Sequence, residues 1–262
     1  MMRALNTAAT GMAAQQTNVD VIANNLANVN TTGFRRSRAE FQDLIYQTIR
    51  TPGGLTGERD GSHLPTGIQI GEGVRTVSTT QVHEQGAMLQ NAGSWDLAIE
   101  GSGFFQIMQP NGQIAYTRSG DFKLDADSRL VTSDGYLVDP PITIPPQATS
   151  VTVSPTGAIS VTLANQTTSQ EVGQIQLATF VNPAGLVETG RTMFNISDAS
   201  GQPILSNPGS DGAGTVAQGF LEASNVEVVT EMVDLIAAQR AYEVNQRVIT
   251  TADEMLQRVT QR

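Results

Sequence analysis

Apolar positions at the two ends of this chain fall on a helical spacing, and those between them alternate. Val228, Leu235, Tyr242, Ile249 and Leu256 recur at every seventh residue, and Met232, Ala238, Ala252, Met255 and Val259 widen the row. Seven residues is close to two helical turns, so these side chains line one face of a long helix. Ser224 and Glu227 have capping-box spacing and mark its expected start. Glu243 with Arg247 and Glu254 with Arg258 are four-residue pairs of opposite charge in the favourable order. A helix of roughly 33 residues is about 50 Å long, too long for its apolar row to be covered within one small domain. At the other end, Leu5, Met12, Val19 and Leu26 also repeat at seven, flanked by Ala8, Ile22 and Val29, with Gln15 interrupting the second row.

The middle is different in kind. Val74 and Val77, Leu97 and Ile99, then Phe105–Met108 and Ile114–Thr117 alternate, the last two joined by the hairpin signal Asn111-Gly112. Phe122 with Leu124, Leu130 with Thr132 and Leu137 with Asp139 continue the pattern, broken by Asp134-Gly135. Val151 and Val153 face Ile159, Val161 and Leu163 across Pro155-Thr156-Gly157, and Ile175, Leu177 and Thr179 follow, with later turns at Ser200-Gly201 and Asp211-Gly212. Pro140, Pro141, Pro145 and Pro146 form a stiff segment that divides the strand region in two. Short strands at this spacing predict an antiparallel β domain. The fold class is therefore α+β, with coiled-coil-like helices at the two ends packed together around a central antiparallel β domain. The expected divisions are N-terminal helices at 1–47, an extended insert at 48–73, a β-rich domain at 74–223 and a C-terminal helix at 224–262.

Within 1–47 a second, shorter helix is expected from the capping spacing of Ser37 and Glu40 and from Phe41, Leu44, Ile45 and Thr48 on one side. Gly33 is the expected stop of the first helix. Residues 1–33 carry only Arg3 and Asp20 as charges, an uncharged amide-rich face that suits close packing against identical neighbours. Asn24, Asn25, Asn28 and Asn30 either end that helix or bridge adjacent copies. Arg35, Arg36 and Arg38 are either solvated or paired with Glu227, Glu231 and Asp234. The insert is rich in glycine, including Gly53, Gly54, Gly57 and Gly61, and reads either as a linker or as a functional loop. Matched helices at opposite ends imply self-assembly. The residues expected at the contact are Leu5, Met12, Val19, Ile22, Asn24, Asn25, Leu26, Asn28, Val29, Gly33 and Phe34, with Val228, Met232, Leu235, Ile236, Tyr242, Ile249, Met255 and Leu256.

Composition narrows the function. A formal net charge of −10 argues against a nucleic-acid binder, whose surface must be basic. With zero Cys there are no disulfides and no thiolate metal sites, which fits a cytosolic chain or an exported one. No run approaches the ~18 apolar residues of a membrane span, and Thr7, Thr10, Gln15 and Gln16 interrupt any cleavable leader. His63 and His83 lack companions at ligand spacing. Asp125 and Asp127 start like a calcium loop, but Arg129 and Leu130 stand where an acid and a glycine are needed. Gly71-Glu72-Gly73 and Gly101-Ser102-Gly103 lack the third glycine of a dinucleotide loop. Glu100 and Asp121 could in principle serve a glycosidase, so a secreted β-rich glycan-binding or glycan-cleaving protein is the competing class. No cofactor, metal or catalytic residue is expected.

The stretches ANNLANVNTTGFRRSRAEFQDLIYQ (23–47) and SNVEVVTEMVDLIAAQRAYEVNQRVITTADEML (224–256) resemble the terminal signatures of bacterial flagellar rod and hook proteins. GSGFFQI, YTRSGDFKLD and LVTSDGYLV resemble the β domain those proteins share. The start MMRALNTAATGMAAQQTNVDVIANN, the length and the glycine-rich insert are most similar to the distal-rod members, with hook and proximal-rod paralogues as the near alternative. The resemblance implies a homopolymer: a hollow straight shaft in the basal body, with terminal helices inside and β domain outside, carrying torque from motor to hook. It implies export without a cleaved leader and four kinds of partner: other rod proteins, hook protein, the bushing rings and the flagellar export apparatus. The insert at 51–73 is itself expected to wedge between neighbouring subunits and restrain sliding, which would stiffen such a shaft.

Overall fold

The computed structural model describes residues 2–52, 66–163 and 168–260. The insert glycines Gly53, Gly54, Gly57 and Gly61 lie outside them. The chain divides into two compact units, one comprising 1–26, 37–80 and 228–262, the other 27–36 and 81–227.

The first unit is built on the two long helices, α1 (Met2–Ala27) and α2 (Val228–Thr260). They pack antiparallel. Asn25 meets Glu231, and Gly11 lies against Asn245, so fourteen residues along one helix match fourteen back along the other. Small residues make this approach possible: a Cβ on Gly11 would sit 3.0 Å from the Asn245 amide nitrogen. Ala8 and Ala14 of α1 are buried, as are Ala238 and Ala252, one heptad to either side of Asn245. Helix α2 starts later than the capping spacing suggested; the Ser224 hydroxyl instead accepts from the Val226 N–H in the preceding turn. Glu243 pairs with Arg240 at 3.4 Å, three residues before it, rather than with Arg247.

The expected second helix is not formed. Ser37–Asp43 is strand β1 and Tyr46–Arg50 is strand β2, paired respectively with β4 (Val74–Gln81) and β3 (Ile68–Gly71). Phe41, Leu44, Ile45 and Thr48 do fit a helical period, but long-range pairing overrides it. The Asn25 amide holds both backbone groups of Ser37, accepting its N–H at 2.9 Å and donating to its carbonyl at 2.8 Å, which opens β1 in extended form. Glu40 and Gln42 then bond across to Ser78 and Arg75 on β4. Nor does Gly33 end α1, which stops six residues earlier; its φ of +70° serves the following loop.

The second unit carries β5 (Met88–Gln90), β6 (Leu97–Glu100), β7 (Phe104–Met108), β8 (Ile114–Thr117), β9 (Phe122–Leu124), β10 (Leu130–Thr132) and β11 (Leu137–Asp139). After the prolines come β12 (Ala148–Val153), β13 (Ala158–Leu163) and β14 (Gln170–Gln174), which form a separate three-stranded sheet, as the stiff segment suggested. Then follow β15 (Leu177–Thr179), β16 (Val187–Gly190), β17 (Met193–Asn195), β18 (Ile204–Ser206), β19 (Thr215–Gln218) and β20 (Phe220–Glu222). The strands of this unit pair antiparallel, and the largest sheet has nine strands centred on β7 and β8. The β7–β8 hairpin turns at Gly112 with φ +79°, a conformation that favours glycine. Strand β7 is buried on both faces. Phe105 and Ile107 enter the main core with Leu97, Leu130, Ile159 and Leu177, while Phe104 joins Tyr116, Leu186 and Phe194 in a second cluster.

Candidate functional site

Two features of this chain demand an explanation beyond folding, one in each unit. The first is the surface of α2. The heptad row Glu231, Ala238, Asn245 and Ala252 faces α1, and Leu235, Ile249 and Leu256 beside it are half-buried. The opposite side is also apolar: Val229, Val233, Ile236 and Val244 are each more than half exposed, at 70, 60, 54 and 56 %. Met232, Val248 and Met255 extend that surface. A helix apolar on two opposed faces is expected where both are covered.

The structure therefore redistributes the residues expected to meet other copies. Ile22, Asn25 and Gly33 are buried within the chain, and Leu5, Met12, Val19, Leu26, Asn28, Val29 and Phe34 are half-buried. Val228, Met232, Ile236, Tyr242, Met255 and Asn24 are exposed. Val229, Val233 and Val244 stand off the strict heptad row; the steps of four and three from Val229 through Val233 to Ile236, and of eight on to Val244, were the available signal. Asn25 neither merely ends a helix nor projects outward: it secures Ser37 and donates to Glu231 at 3.2 Å.

The second feature is a buried charge cluster in the β-rich unit, centred on Glu222 at the end of β20. Its carboxylate accepts from Arg35 at 2.7 Å, from Arg118 at 2.7 Å and from the Gly86 N–H at 2.9 Å. Arg118 also donates to the carbonyls of Ile99, Gly101 and Gly103, holding that glycine-rich turn closed. The Gly33 N–H donates to the Glu222 carbonyl at 2.9 Å, and a Cβ on Gly33 would approach the Ser119 nitrogen to 2.5 Å. These bonds bind residues 27–36 into the β-rich unit. Of the three arginines read either as solvated or as paired with the start of α2, Arg35 pairs with Glu222, Arg36 lies 3.9 Å from Glu84 and Arg38 pairs with Glu40.

His83 sits beside this cluster, edge-on to Phe104 and Phe194 with ring centroids 5.9 and 6.0 Å away. Burial, then the charge on Arg35, lowers its pKa from 6.5 to about 4, with Arg118 adding to the effect. The unfolded chain therefore binds the extra proton between those values. Stability from this site is complete above pH 6.5 and is lost as pH falls toward 4. Urea midpoints across that range should decline in the natural chain and decline less in His83→Phe.

The carboxylates that suggested a calcium loop are otherwise engaged. Arg129 lies 3.0 Å from both Asp125 and Asp127, and Asp125 is held below its ordinary pKa first by the Ala126 N–H and then by Arg129. Asp121 accepts from the Ser133 hydroxyl at 2.6 Å. Among the described residues no group of three or more His, Cys, Asp or Glu is placed to hold a metal ion, and no helix is long and apolar enough to cross a membrane.

Comparison with known proteins covers both units. Residues 5–35 match the flagella basal body rod protein family, 98–161 the flagellar hook protein FlgE/F/G D1 domain, and 217–262 the flagellar basal body rod FlgEFG protein C-terminal domain. The flagellar basal-body rod protein FlgG of Caulobacter vibrioides is 51 % identical over 260 residues, 99 % of each chain. The chain belongs to the FlgG family of flagellar basal-body rod proteins. FlgG of Borreliella burgdorferi is 50 % identical over 98 % of this chain and 97 % of its own, and FlgG of Bacillus subtilis 40 % over 98 and 97 %. The hook protein FlgE of Helicobacter mustelae is 46 % identical, but over only 53 % of this chain and 30 % of its own. Membership makes the chain a structural subunit of the distal rod of the flagellar basal body.

Proposed function

We propose that the chain polymerises through the open face of α2 into the hollow, straight distal rod and carries torque from motor to hook. The observation that carries this is the apolar row Val229, Val233, Ile236 and Val244, uncovered on the side of α2 opposite α1. Each such side chain gains roughly 1.5–3 kcal/mol on full burial, and a repeating subunit offers that cover at every step. On this reading the subunit has no catalytic role. It meets other rod proteins and the hook protein end to end, passes through the bushing rings across the periplasm, and reaches its place through the flagellar export apparatus.

Electron microscopy of the purified protein at rising concentration tests the reading. Straight fibres above a threshold support it, and a monomer at every concentration overturns it. Limited proteolysis adds a second measure: α1 and α2 should be cut faster than the β-rich unit in dilute protein and resist in the fibre. The glycine-rich insert is proposed to restrain sliding between neighbours. Deleting residues 53–65 should then give curved or bendable fibres by the same microscopy, and straight ones would refute that role.

A further inference from the structure

The bonds of the Glu222 cluster leave one positive charge over. Two guanidinium groups, Arg35 and Arg118, face a single carboxylate, and all three are almost wholly buried. Arg118 spends its donors on Glu222 and three carbonyls. Arg35 does not. One of its nitrogens serves Glu222, while Nε and Nη1 are buried with no hydrogen-bond partner among the described residues. Both ring nitrogens of His83 are in the same condition. These groups line one cavity of about 240 Å³, closed on another side by Gln85 and the Gly101–Gly103 turn. That is several times the ~30 Å³ that a water occupies. A buried guanidinium with idle donors is costly, and an oxyanion accepting from one of them relieves both the unmade bond and the surplus charge.

We propose that this cavity is a binding site for a single carboxylate group, held by an idle N–H of the Arg35 guanidinium and by an N–H of His83. The site is complete within one unit of one chain, so it does not depend on polymerisation. Two sources share the chemistry: a small carboxylate in solution, or the side chain of an Asp or Glu from a neighbouring copy of this acidic protein.

The test uses the full-length monomer and ¹³C-acetate, with sodium chloride balancing ionic strength, and reads binding by ligand-detected NMR. Saturable binding is expected, with Kd on the order of 1–10 mM. Arg35→Lys keeps the charge but loses the fork, and should weaken binding by about tenfold or more. His83→Phe fits the aromatic neighbours and should weaken it severalfold, so it decides the matter if Arg35→Lys fails to fold. No saturable binding up to roughly 100 mM, or equal binding by natural chain and His83→Phe, overturns the proposal. In fibres assembled without acetate, the His83 ring carbons distinguish the sources. Shifts like those of the acetate-loaded monomer mean that a neighbour's carboxylate fills the cavity, and shifts like those of the empty monomer mean a solute does. Absence of fibres leaves the monomer result standing.

Discussion

Glu222→Gln should lower the melting temperature of the β-rich unit by about 10 °C. The carboxylate is fully buried and is the shared acceptor of Arg35, Arg118 and the Gly86 N–H. Removing one partner of a buried ion pair costs roughly 3–5 kcal/mol, because the charge left behind has no water to turn to. For a unit of this size each kcal/mol moves the midpoint by about 2–4 °C. The amide keeps shape and one acceptor oxygen, so the loss measures charge rather than packing. Differential scanning calorimetry reads it directly. A change below about 2 °C would mean that the two guanidinium groups are satisfied without Glu222, contrary to the geometry.

Ile236→Lys should do the reverse, leaving the monomer intact while abolishing assembly. Ile236 is more than half exposed on the side of α2 away from α1, so its replacement should change monomer stability by no more than about 0.5 kcal/mol. In the polymer the same position would bury an unpaired ammonium and forfeit an apolar contact worth roughly 1.5–3 kcal/mol. A rise of about a hundredfold or more in the concentration needed for fibres follows. Sedimentation at increasing concentration measures it, with circular dichroism confirming that the helices persist. Fibres forming at the original threshold would show that the open face is not the contact.

How much of this was legible in the sequence depends on how local each cause is. The two long helices were readable because every heptad repeats the same statement, and the hairpin at Asn111-Gly112 because its turn residues carry their own geometry. Residues 37–48 misled for the opposite reason. Their apolar spacing is helical, and what makes them strands is the Asn25 side chain and partner strands starting at Ile68 and Val74, none of which is local. The heptad row of α2 announced a covered face without saying what covers it. Only the small residues on the partner, Ala8, Gly11 and Ala14, show that α1 takes that side and leaves the other open. Arg35 and Arg118 are 187 and 104 residues from Glu222 in the chain, and each reads singly as a solvated charge. The stretches that carry the family resemblance include Arg35 and Arg118, but a resemblance in sequence does not say that the two meet at Glu222.

The matching of residue 11 to 245 and of 25 to 231 has a practical corollary. Because the pair runs head to tail, positions near 3 and near 253 project from the same tip. Fluorophores or affinity handles attached at either extremity would crowd one spot, so an internal surface loop of the β-rich unit is the gentler place to mark this subunit.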